Sequence, residues 1–407
     1  MIKNIDYRLF FTVLSLMVFG MIMISSVSIY SSFRVTDIMA QKWIITEAYN
    51  HFYVLRNIAH VVIALCVLAL CVKIPYTFFE KYAKHFFAFT IGMLMFVLVS
   101  GLSLKWASGW ISIPWIPFTI QPTEFLKISI ILFLAYFLKK NKHYIHTFQQ
   151  WFIPFIMILW GALLLVALQP DFGTIMVVVP VCVIMFFAAG ANVKYLSILA
   201  VIWLILSTLV YSAGDYDPKT GKNLNKLWYI TQRIDNFLAD NQQAIQNKTI
   251  NYQTEQALIA IGSGWFFGLG FGQSIQKFGY LPEVQWDFIF SVIIEELWFV
   301  GGLILLCMYL YIGYRGYKIS SHVQDSFARY SAIGISSWIL IQAFINIWVN
   351  LNIVPLTGIT LPFISYGWSS LLSLAIWLGV LLNISRHYSD GKYVQRQSRK
   401  KIMFRFK

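Results

Sequence analysis

Long apolar runs separated by polar segments dominate the chain. About 20 apolar residues suffice to cross a bilayer core as an α-helix, and a lipid-exposed backbone must satisfy its own hydrogen bonds. The pattern therefore predicts an all-α, polytopic membrane protein with ten transmembrane helices. The predicted spans are 8–30, 56–73, 82–102, 121–138, 152–169, 173–190, 194–212, 287–312, 327–351 and 365–385.

Lys and Arg are distributed unequally between the two sides that ten spans define. The short loops opposite the termini carry only Arg34, Lys42, Arg56 and Lys105, whereas the short loops on the side of the termini, together with the tail, carry many more. The positive-inside rule then predicts cytoplasmic N- and C-termini. We interpret residues 386–407 as a basic cytoplasmic tail, either an ordinary anchor, which we favour, or a contact for anionic lipids.

One extracytoplasmic loop, 213–286, is far longer than the others and lies between predicted helices seven and eight. Ile230, Ile234, Phe237 and Leu238 share a helical face in it, which predicts a helix in the interface or packed on the bundle. A glycine-rich stretch then ends a short helix at Gly262–Gly264. Loops of this length are usually functional, and we interpret 1–407 as a single membrane domain that contains this one.

Composition narrows the class of protein. Of the 407 residues, 58% are hydrophobic and 12% are charged, whereas soluble domains carry about 25% charged residues. The net charge of +14 indicates orientation and contact with anionic lipid, and no nucleic acid partner. The four cysteines lie in apolar runs without the spacing of a zinc site, so we expect packing residues.

The stretch from Tyr280 to Gly302 carries four acids as it changes from polar to apolar: Glu283, Asp287, Glu295 and Glu296. Asp287 lies at the transition, where poor hydration raises the pKa of a carboxyl and suits it to proton transfer. The alternative is a helix N-cap, a position that Asp favours. Glu295, at i+8 from Asp287, is the better placed glutamate to share its face.

Other polar residues accompany the predicted spans. Lys127 follows Gln121 and Glu124, and a Lys inside a span needs a buried partner or snorkels to the interface; we favour the partner. Asp171, in LQPDFGT, is either a helix cap or a functional acid. Arg233, in the long loop, is either a solvated surface residue or a ligand for an anion.

The last external loop, NLNIVPLTGITLPFISYGWSS, contains two prolines and two glycines but no Lys or Arg. Such a segment can re-enter the membrane against protein. Ser365, Tyr366, Ser369 and Ser370 supply hydroxyls there. No zinc, nucleotide or hydrolase motif accompanies these features.

Five segments, QPTEFLK, LQPDFGT, YQTEQALIAIGSG, QKFGYLPEVQWDFIFSVIIEE and NIVPLTGITLPFISYGWSS, occur in this order among the predicted spans. Together they resemble the FtsW/RodA (SEDS) family over essentially the whole chain. The resemblance implies a peptidoglycan glycosyltransferase of the bacterial cytoplasmic membrane, which polymerises lipid II beside a class B penicillin-binding protein and other divisome or elongasome proteins. It implies that Asp287 is essential and that Lys127 pairs with it, and SIQKFGYLPE favours the FtsW-like branch.

The chain departs from the family pattern at a few positions. Gln285 and Trp286 replace His-Thr before the acid, Trp298 replaces Gly, and Trp368 ends the SYGG motif. These replacements leave Asp287 itself in place.

The predicted reaction is an inverting attack of an acceptor GlcNAc 4-hydroxyl on the donor MurNAc anomeric carbon, with Asp287 as base and undecaprenyl pyrophosphate leaving. We expect Asp287 and Lys127 to be catalytic. The predicted substrate-binding residues are Arg233, Glu124, Gln121, Asp171, Glu283, Glu295, Ser365, Tyr366 and Ser369. No cofactor is indicated, although Mg²⁺ or Mn²⁺ at the pyrophosphate stays open. A lipid II flippase and a non-catalytic scaffold are the alternatives.

Overall fold

The computed structural model describes residues 5–100, 109–112, 119–144, 148–213, 231, 233–235, 237, 250–264 and 268–405. Most of this part is helical. The α-helices are α1 Tyr7–Val27, α2 Ile29–Gln41, α3 Phe52–Lys73, α4 Tyr76–Ser100, α5 Pro122–Lys140, α6 Ile153–Ala167, α7 Phe172–Ala188, α8 Val193–Ala213, α9 Ile250–Ser263, α10 Ile289–His322, α11 Ser326–Asn350 and α12 Trp368–Arg405. A 3-10 turn, Lys142–Tyr144, and a π-helix, Phe148–Phe152, precede α6. Strands β1, Ile111–Ser112, and β2, Thr119–Ile120, pair antiparallel before α5.

A helix lies at each of the ten predicted spans: α1, α3 to α8, and α10 to α12. Among the described residues, seven helices are long and apolar enough to cross a membrane: α1, α3, α4, the π-helix with α6, α10, α11 and the first half of α12. Helix α7 is apolar but shorter, and α5 carries the charges of Glu124 and Lys127. The chain is thus a multi-helix protein with several candidate spans, and the count of ten stays a prediction.

Ion pairs join helices that are distant in sequence at one end of the bundle. Asp6 caps α1 by accepting from Leu9 N at 3.1 Å, and Arg315 Nε of α10 donates to the same carboxylate at 3.0 Å. Asp325 caps α11 by accepting from Ala328 N at 3.0 Å, and Lys139 Nζ of α5 lies 2.7 Å from it. Each carboxylate therefore satisfies a helix terminus and fixes a neighbouring helix.

Helix α10 is interrupted at Trp298, whose φ of 61° and ψ of −174° are not helical. The interruption is stabilised from outside: Leu269 N and Gly270 N donate to the carbonyls of Glu295 and Glu296 at 2.9 and 3.1 Å. A Cβ at Gly268 would lie 2.5 Å from the Glu296 carbonyl oxygen, so only glycine permits this approach. The glycine-rich part of the long loop thus ends the first segment of α10.

The loop between α11 and α12 begins at the surface, where Ile353 is 55% exposed, and is largely buried against protein from Ile359 onward, as its lack of charge predicts. Leu361, Phe363 and Ile364 are at most 5% exposed. Side chains satisfy the loop carbonyls: Tyr309 Oη donates to Pro362 O at 2.5 Å. On the other side of the loop, α7 approaches so closely that a Cβ at Gly173 would lie 2.8 Å from Thr357 O.

Candidate active site

A polar cavity of about 590 Å³ lies between α3, α5, α7, the segment before α10 and the buried loop before α12. Acids, cations, hydroxyls and aromatic rings line it together. The lining residues that enter the argument below are Tyr53, Arg56, His60, Gln121, Glu124, Lys127, Asp171, Glu283, Trp286, Asp287, Tyr366, Trp368, Ser369 and Ser370. Ligand sites commonly combine a concave, largely apolar wall with a few convergent polar groups, so we take this cavity as the candidate active site.

Asp287 lines the cavity and does not cap a helix. The N-cap of α10 is Phe288, which makes no side-chain capping bond, so the capping alternative is wrong. None of the described residues donates a hydrogen bond to the Asp287 carboxylate. Gly358 of the loop before α12 approaches the carboxylate, since a Cβ there would lie 3.6 Å from Asp287 Oδ2. The carboxylate is therefore left available to a molecule in the cavity.

The backbone of Asp287 is held by amides of α11. Asn346 Nδ2 and Asn350 Nδ2 donate to Asp287 O at 2.8 and 3.0 Å. Asn346 Nδ2 also donates to Ile359 O at 2.7 Å, and Ser291 Oγ of α10 donates to Asn350 Oδ1 at 2.7 Å. These buried bonds fix the acid relative to α11 and to the loop before α12.

Burial and charge both act on the Asp287 carboxyl. Its pKa is raised from 3.8 to about 7: burial is the largest cause, the nearby Glu283 charge contributes to the rise, and the Arg233 charge opposes it. Glu283 lines the cavity with a φ of 54°, in the left-handed region. Arg233 Nη1 donates to Leu356 O at 2.7 Å, so it is anchored on the buried loop and is not a freely solvated residue. A carboxyl with a pKa near neutrality suits proton transfer.

Lys127 is 3% exposed and does not snorkel. Its Nζ donates to Glu124 Oε1 at 2.7 Å and to Gln342 Oε1 at 3.0 Å, and lies 5.1 Å from the Trp338 ring centroid. The expectation of a buried partner is met, but by Glu124. An ion pair between Lys127 and Asp287 is not among the contacts of the described residues, because Glu124 lies one helical turn away on the same helix and takes the ammonium.

Three further predicted residues lie on the cavity wall with structural partners. Asp171 caps α7, accepting from Thr174 N at 2.9 Å and Thr174 Oγ1 at 2.8 Å. Gln121 N donates to Ser369 Oγ at 3.2 Å, and Ser369 Oγ donates to Thr119 O at 3.0 Å. Asp171 is thus a cap that also faces the cavity, whereas Gln121 and Ser369 join the start of α5 to α12.

Tyr366 lies on the wall at the end of the buried loop. Burial raises the pKa of its hydroxyl to about 12, and Arg56 opposes that rise through its charge and a hydrogen bond. Tyr366 N donates to Gln285 O at 2.9 Å. The loop before α12 is thereby fastened to the segment that carries Asp287.

The structure does not bring Glu295 or Ser365 to the cavity, which corrects their predicted place in the site. Glu295 is fully buried and accepts from Ser274 Oγ at 2.5 Å and from Ile275 N at 2.9 Å. Its carboxylate is directed to the long loop because α10 turns it away from Asp287. Ser365 Oγ accepts from Leu361 N at 2.8 Å, a bond within its own turn.

Sequence reasoning missed residues whose signal was present. Gln342, Asn346 and Asn350 recur every four residues in an otherwise apolar helix, and this spacing places them on one face. That stripe of amides is a recognisable sign of a polar contact inside a bundle. For Arg56, the sequence indicates only a loop cation near the start of a predicted span. Its position on the cavity wall depends on the packing of α3 against α12, which are distant in sequence.

Comparisons with known proteins agree with this architecture. The sequence profile of the FtsW/RodA/SpoVE family, described as cell cycle proteins, matches residues 7–390. Stage V sporulation protein E of Bacillus subtilis (strain 168) is 34% identical over 386 residues, which cover 94% of this chain and 97% of that protein. The probable peptidoglycan glycosyltransferase FtsW of Trichlorobacter lovleyi is 34% identical over 385 residues, 93% of each chain.

Two solved structures share the fold. A chain from a peptidoglycan synthase complex, described as coordinating polymerization and crosslinking, superposes with a TM-score of 0.73 at 21% identity and covers 95% of this chain and 99% of its own. The rod shape determining protein RodA of Thermus thermophilus superposes with a TM-score of 0.65 at 22% identity, over 94% of this chain and 97% of its own.

Proposed function

The chain belongs to the FtsW/RodA/SpoVE family, and from that premise we propose that it is a peptidoglycan glycosyltransferase. Its substrate is lipid II, as donor and as acceptor, and its product is a glycan strand. The relatives named as probable peptidoglycan glycosyltransferases cover almost the whole chain, which supports the activity. The role in division, in place of elongation, is the narrower part of the proposal and follows the FtsW-named relatives.

One observation carries the proposal: the Asp287 carboxylate faces a cavity of about 590 Å³ and receives no hydrogen bond from the described residues. Burial holds its pKa at about 7, so a large fraction is ionised at neutral pH and still basic enough to take a proton. A positioned base of matched pKa contributes about 10²–10⁴-fold in rate.

The proposed step is a glycosyl transfer from the donor to the acceptor sugar. The acceptor GlcNAc 4-hydroxyl gives its proton to the Asp287 carboxylate, and its oxygen forms a bond to the donor MurNAc anomeric carbon. The bond from that carbon to the phosphate oxygen breaks with inversion, and undecaprenyl pyrophosphate takes the electron pair. Asp287 later returns the proton to water.

The leaving pyrophosphate needs positive charge nearby. Arg56 and Lys127 both line the cavity, and Arg233 lies close enough to affect Asp287. Lys127 is partly neutralised by Glu124, so we assign it mainly to holding Glu124 and Gln342 in place. Arg56, whose planar fork matches phosphate oxygens, is the stronger candidate for contact with the leaving group.

The side chains present do not form a metal cage. Within the described ranges, no three His, Cys, Asp or Glu side chains converge as ligands. The proposed reaction uses no resident metal, and any Mg²⁺ or Mn²⁺ carried on the pyrophosphate is part of the substrate.

Placement and partners complete the proposal. Lipid II presents its sugars outside the cytoplasmic membrane, so Asp287 belongs at the outer face with both termini inside and the tail 386–407 near anionic lipid. The fold shared with a synthase complex supports a class B penicillin-binding protein as the crosslinking partner.

The test is polymerisation of lipid II by the purified, reconstituted protein with its transpeptidase partner, read as glycan length on a gel. We expect Asp287→Asn to lose at least about 10²-fold in rate, while Glu255→Gln, at an exposed acid of α9, keeps the wild-type rate. Full activity of Asp287→Asn would overturn the base assignment, whereas absence of polymerisation by the wild-type protein would favour the flippase or scaffold alternatives.

A further inference from the structure

Five aromatic rings form a continuous row along the cavity wall. In order they are Trp286, Tyr53, Tyr366, His60 and Trp368, and all five line the cavity. Neighbouring ring centroids lie 5.8, 5.1, 5.3 and 5.2 Å apart. We call this row the aromatic wall.

The aromatic wall is closely packed, and the rings at its two ends are partly exposed. Tyr53 meets Trp286 at an interplanar angle of 83° and Tyr366 at 82°, the edge-to-face geometry that stabilises aromatic pairs. Tyr366 and His60 in the middle are 8% and 2% exposed. Trp286 and Trp368 at the ends are only partly buried, so they present the ring surface that a molecule in the cavity meets.

Three separate parts of the chain build the aromatic wall. Helix α3 contributes two rings, the segment before α10 contributes Trp286, and the loop and first residue of α12 contribute the others. The two tryptophans adjoin polar groups directly in sequence: Trp286 precedes Asp287, and Trp368 precedes Ser369 and Ser370. An apolar surface is thus bordered by hydrogen-bonding groups at both ends.

This combination fits a saccharide better than a prenyl chain or a diphosphate. A pyranose ring has an apolar face of C–H groups and a polar edge of hydroxyls, so it needs a flat apolar surface beside acceptors and donors. A prenyl chain would not use the acids, and a diphosphate beside Trp286 would meet the negative charges of Glu283 and Asp287, so it fits beside Arg56 and not at that end of the wall.

We propose that the aromatic wall is a saccharide-binding subsite in which Trp286 stacks on the sugar whose hydroxyl Asp287 deprotonates, and Trp368 contacts a second sugar ring. The proposal deepens the proposed function and rests on it. Stacking on Trp286 places a pyranose hydroxyl beside the adjacent carboxylate, which lowers the orientational cost of the transfer.

The experiment distinguishes the contribution of the sugars to binding from that of the lipid diphosphate. Binding to the reconstituted full-length protein is measured for lipid II and for undecaprenyl pyrophosphate, which has the same chain and diphosphate but no sugar. We expect Trp286→Leu and Trp368→Leu to weaken lipid II binding by about tenfold and to leave undecaprenyl pyrophosphate binding unchanged. Trp286→Phe, which keeps a ring, should retain most lipid II binding.

A matched control and a folding check accompany these variants. Trp348→Leu removes an exposed tryptophan of α11 and should change neither affinity, and melting temperatures identify any variant that fails to fold. Equal loss for both ligands, or no loss for either, would overturn the saccharide subsite. Wild-type binding of lipid II without polymerisation would overturn the proposed function alone, and absence of lipid II binding would overturn both.

Discussion

Asp287 and Glu296 lie nine residues apart in one stretch, and their surroundings are opposite in kind. Asp287 opens onto the cavity and receives no hydrogen bond from the described residues. Glu296 is enclosed: Lys277 Nζ and Ser26 Oγ donate to its Oε1 at 2.9 and 2.6 Å, and both Lys277 and Glu296 have side chains that are 0% exposed. The same residue class thus faces a cavity at one site and forms a structural ion pair at the other.

The difference shows how to tell function from packing in a membrane bundle. A buried carboxylate that has its own cation and donors holds elements together, here α1, the long loop and α10. A carboxylate that is dehydrated but left without donors gains basicity, which benefits only a proton transfer. The positions of Asp287 and Glu296 in the sequence do not distinguish their roles, whereas their hydrogen-bond and ion-pair partners do.

Glu296→Gln tests the structural role of the enclosed acid, and we expect it to have the largest effect. It leaves the Lys277 ammonium buried without a counter-charge, and removing one partner of a buried pair costs about 3–5 kcal/mol. We expect a much lower melting temperature in detergent, whereas Asp287→Asn, a substitution of the same kind, should not lower it. Replacing both partners, Glu296→Leu with Lys277→Met, should recover much of the loss. A wild-type melting temperature for Glu296→Gln would contradict the structural role.

The pH dependence of polymerisation tests the proposed role of Asp287 as the base. Because Asp287 must be ionised to act as a base, and its pKa is about 7, the rate should fall about tenfold per pH unit below that value. Removing the Glu283 charge in Glu283→Gln should move this limb to lower pH, and Arg233→Gln should move it to higher pH. A limb that neither variant moves would separate the pH dependence from Asp287.

The raised pKa of Asp287 also predicts how the stability of the protein changes with pH. The folded pKa lies above the ordinary 3.8, so the folded state binds the proton more tightly than the unfolded chain. The free energy of unfolding should therefore decrease as the pH rises from about 4 to about 7 and stay level above. Asp287→Asn should remove this decrease, a result that a scan of melting temperature against pH measures directly.

The amides of α11 determine where Asp287 lies, and Asn346→Leu tests that. The change leaves Ile359 O without the donor that now lies 2.7 Å away, and it leaves Asp287 O with Asn350 Nδ2, at 3.0 Å, as its remaining side-chain donor. Each unsatisfied buried group costs about 1–3 kcal/mol. We expect lower polymerisation and lower stability, while Ser336→Ala, which loses only a bond to Ala332 O in the same helix, should change little. An unaltered rate for Asn346→Leu would show that the amides do not position the acid.

The features that could be predicted from the sequence are those that depend on local patterns of apolar and polar residues. Apolar runs located a helix at all ten positions, and the change from polar to apolar character singled out Asp287. What it missed depends on contacts across the chain: Lys277 meets Ser26, 251 residues away, and Gln342 meets Lys127 across 215 residues. No spacing rule within one segment contains that information. Glu295 was misplaced for the same reason, because its partners lie in the long loop.

The smallest effect is expected at Trp298, where the enclosed region carries backbone strain. Its φ of 61° with ψ of −174° belongs to a region that is almost confined to glycine and costs a side chain about 1–3 kcal/mol. The backbone carbonyls of Glu295 and Glu296 accept hydrogen bonds from Leu269 N and Gly270 N, and these contacts hold the tryptophan in place. Trp298→Gly relieves the strain but loses ring contacts and adds freedom to the unfolded chain, so a net gain of about 1 kcal/mol remains. We expect a slightly higher melting temperature and an unchanged rate, with Trp298→Ala, which keeps a Cβ, giving no gain. A changed rate in Trp298→Gly would instead show that the enclosed acids and the cavity are coupled through α10, and the two regions would no longer be independent.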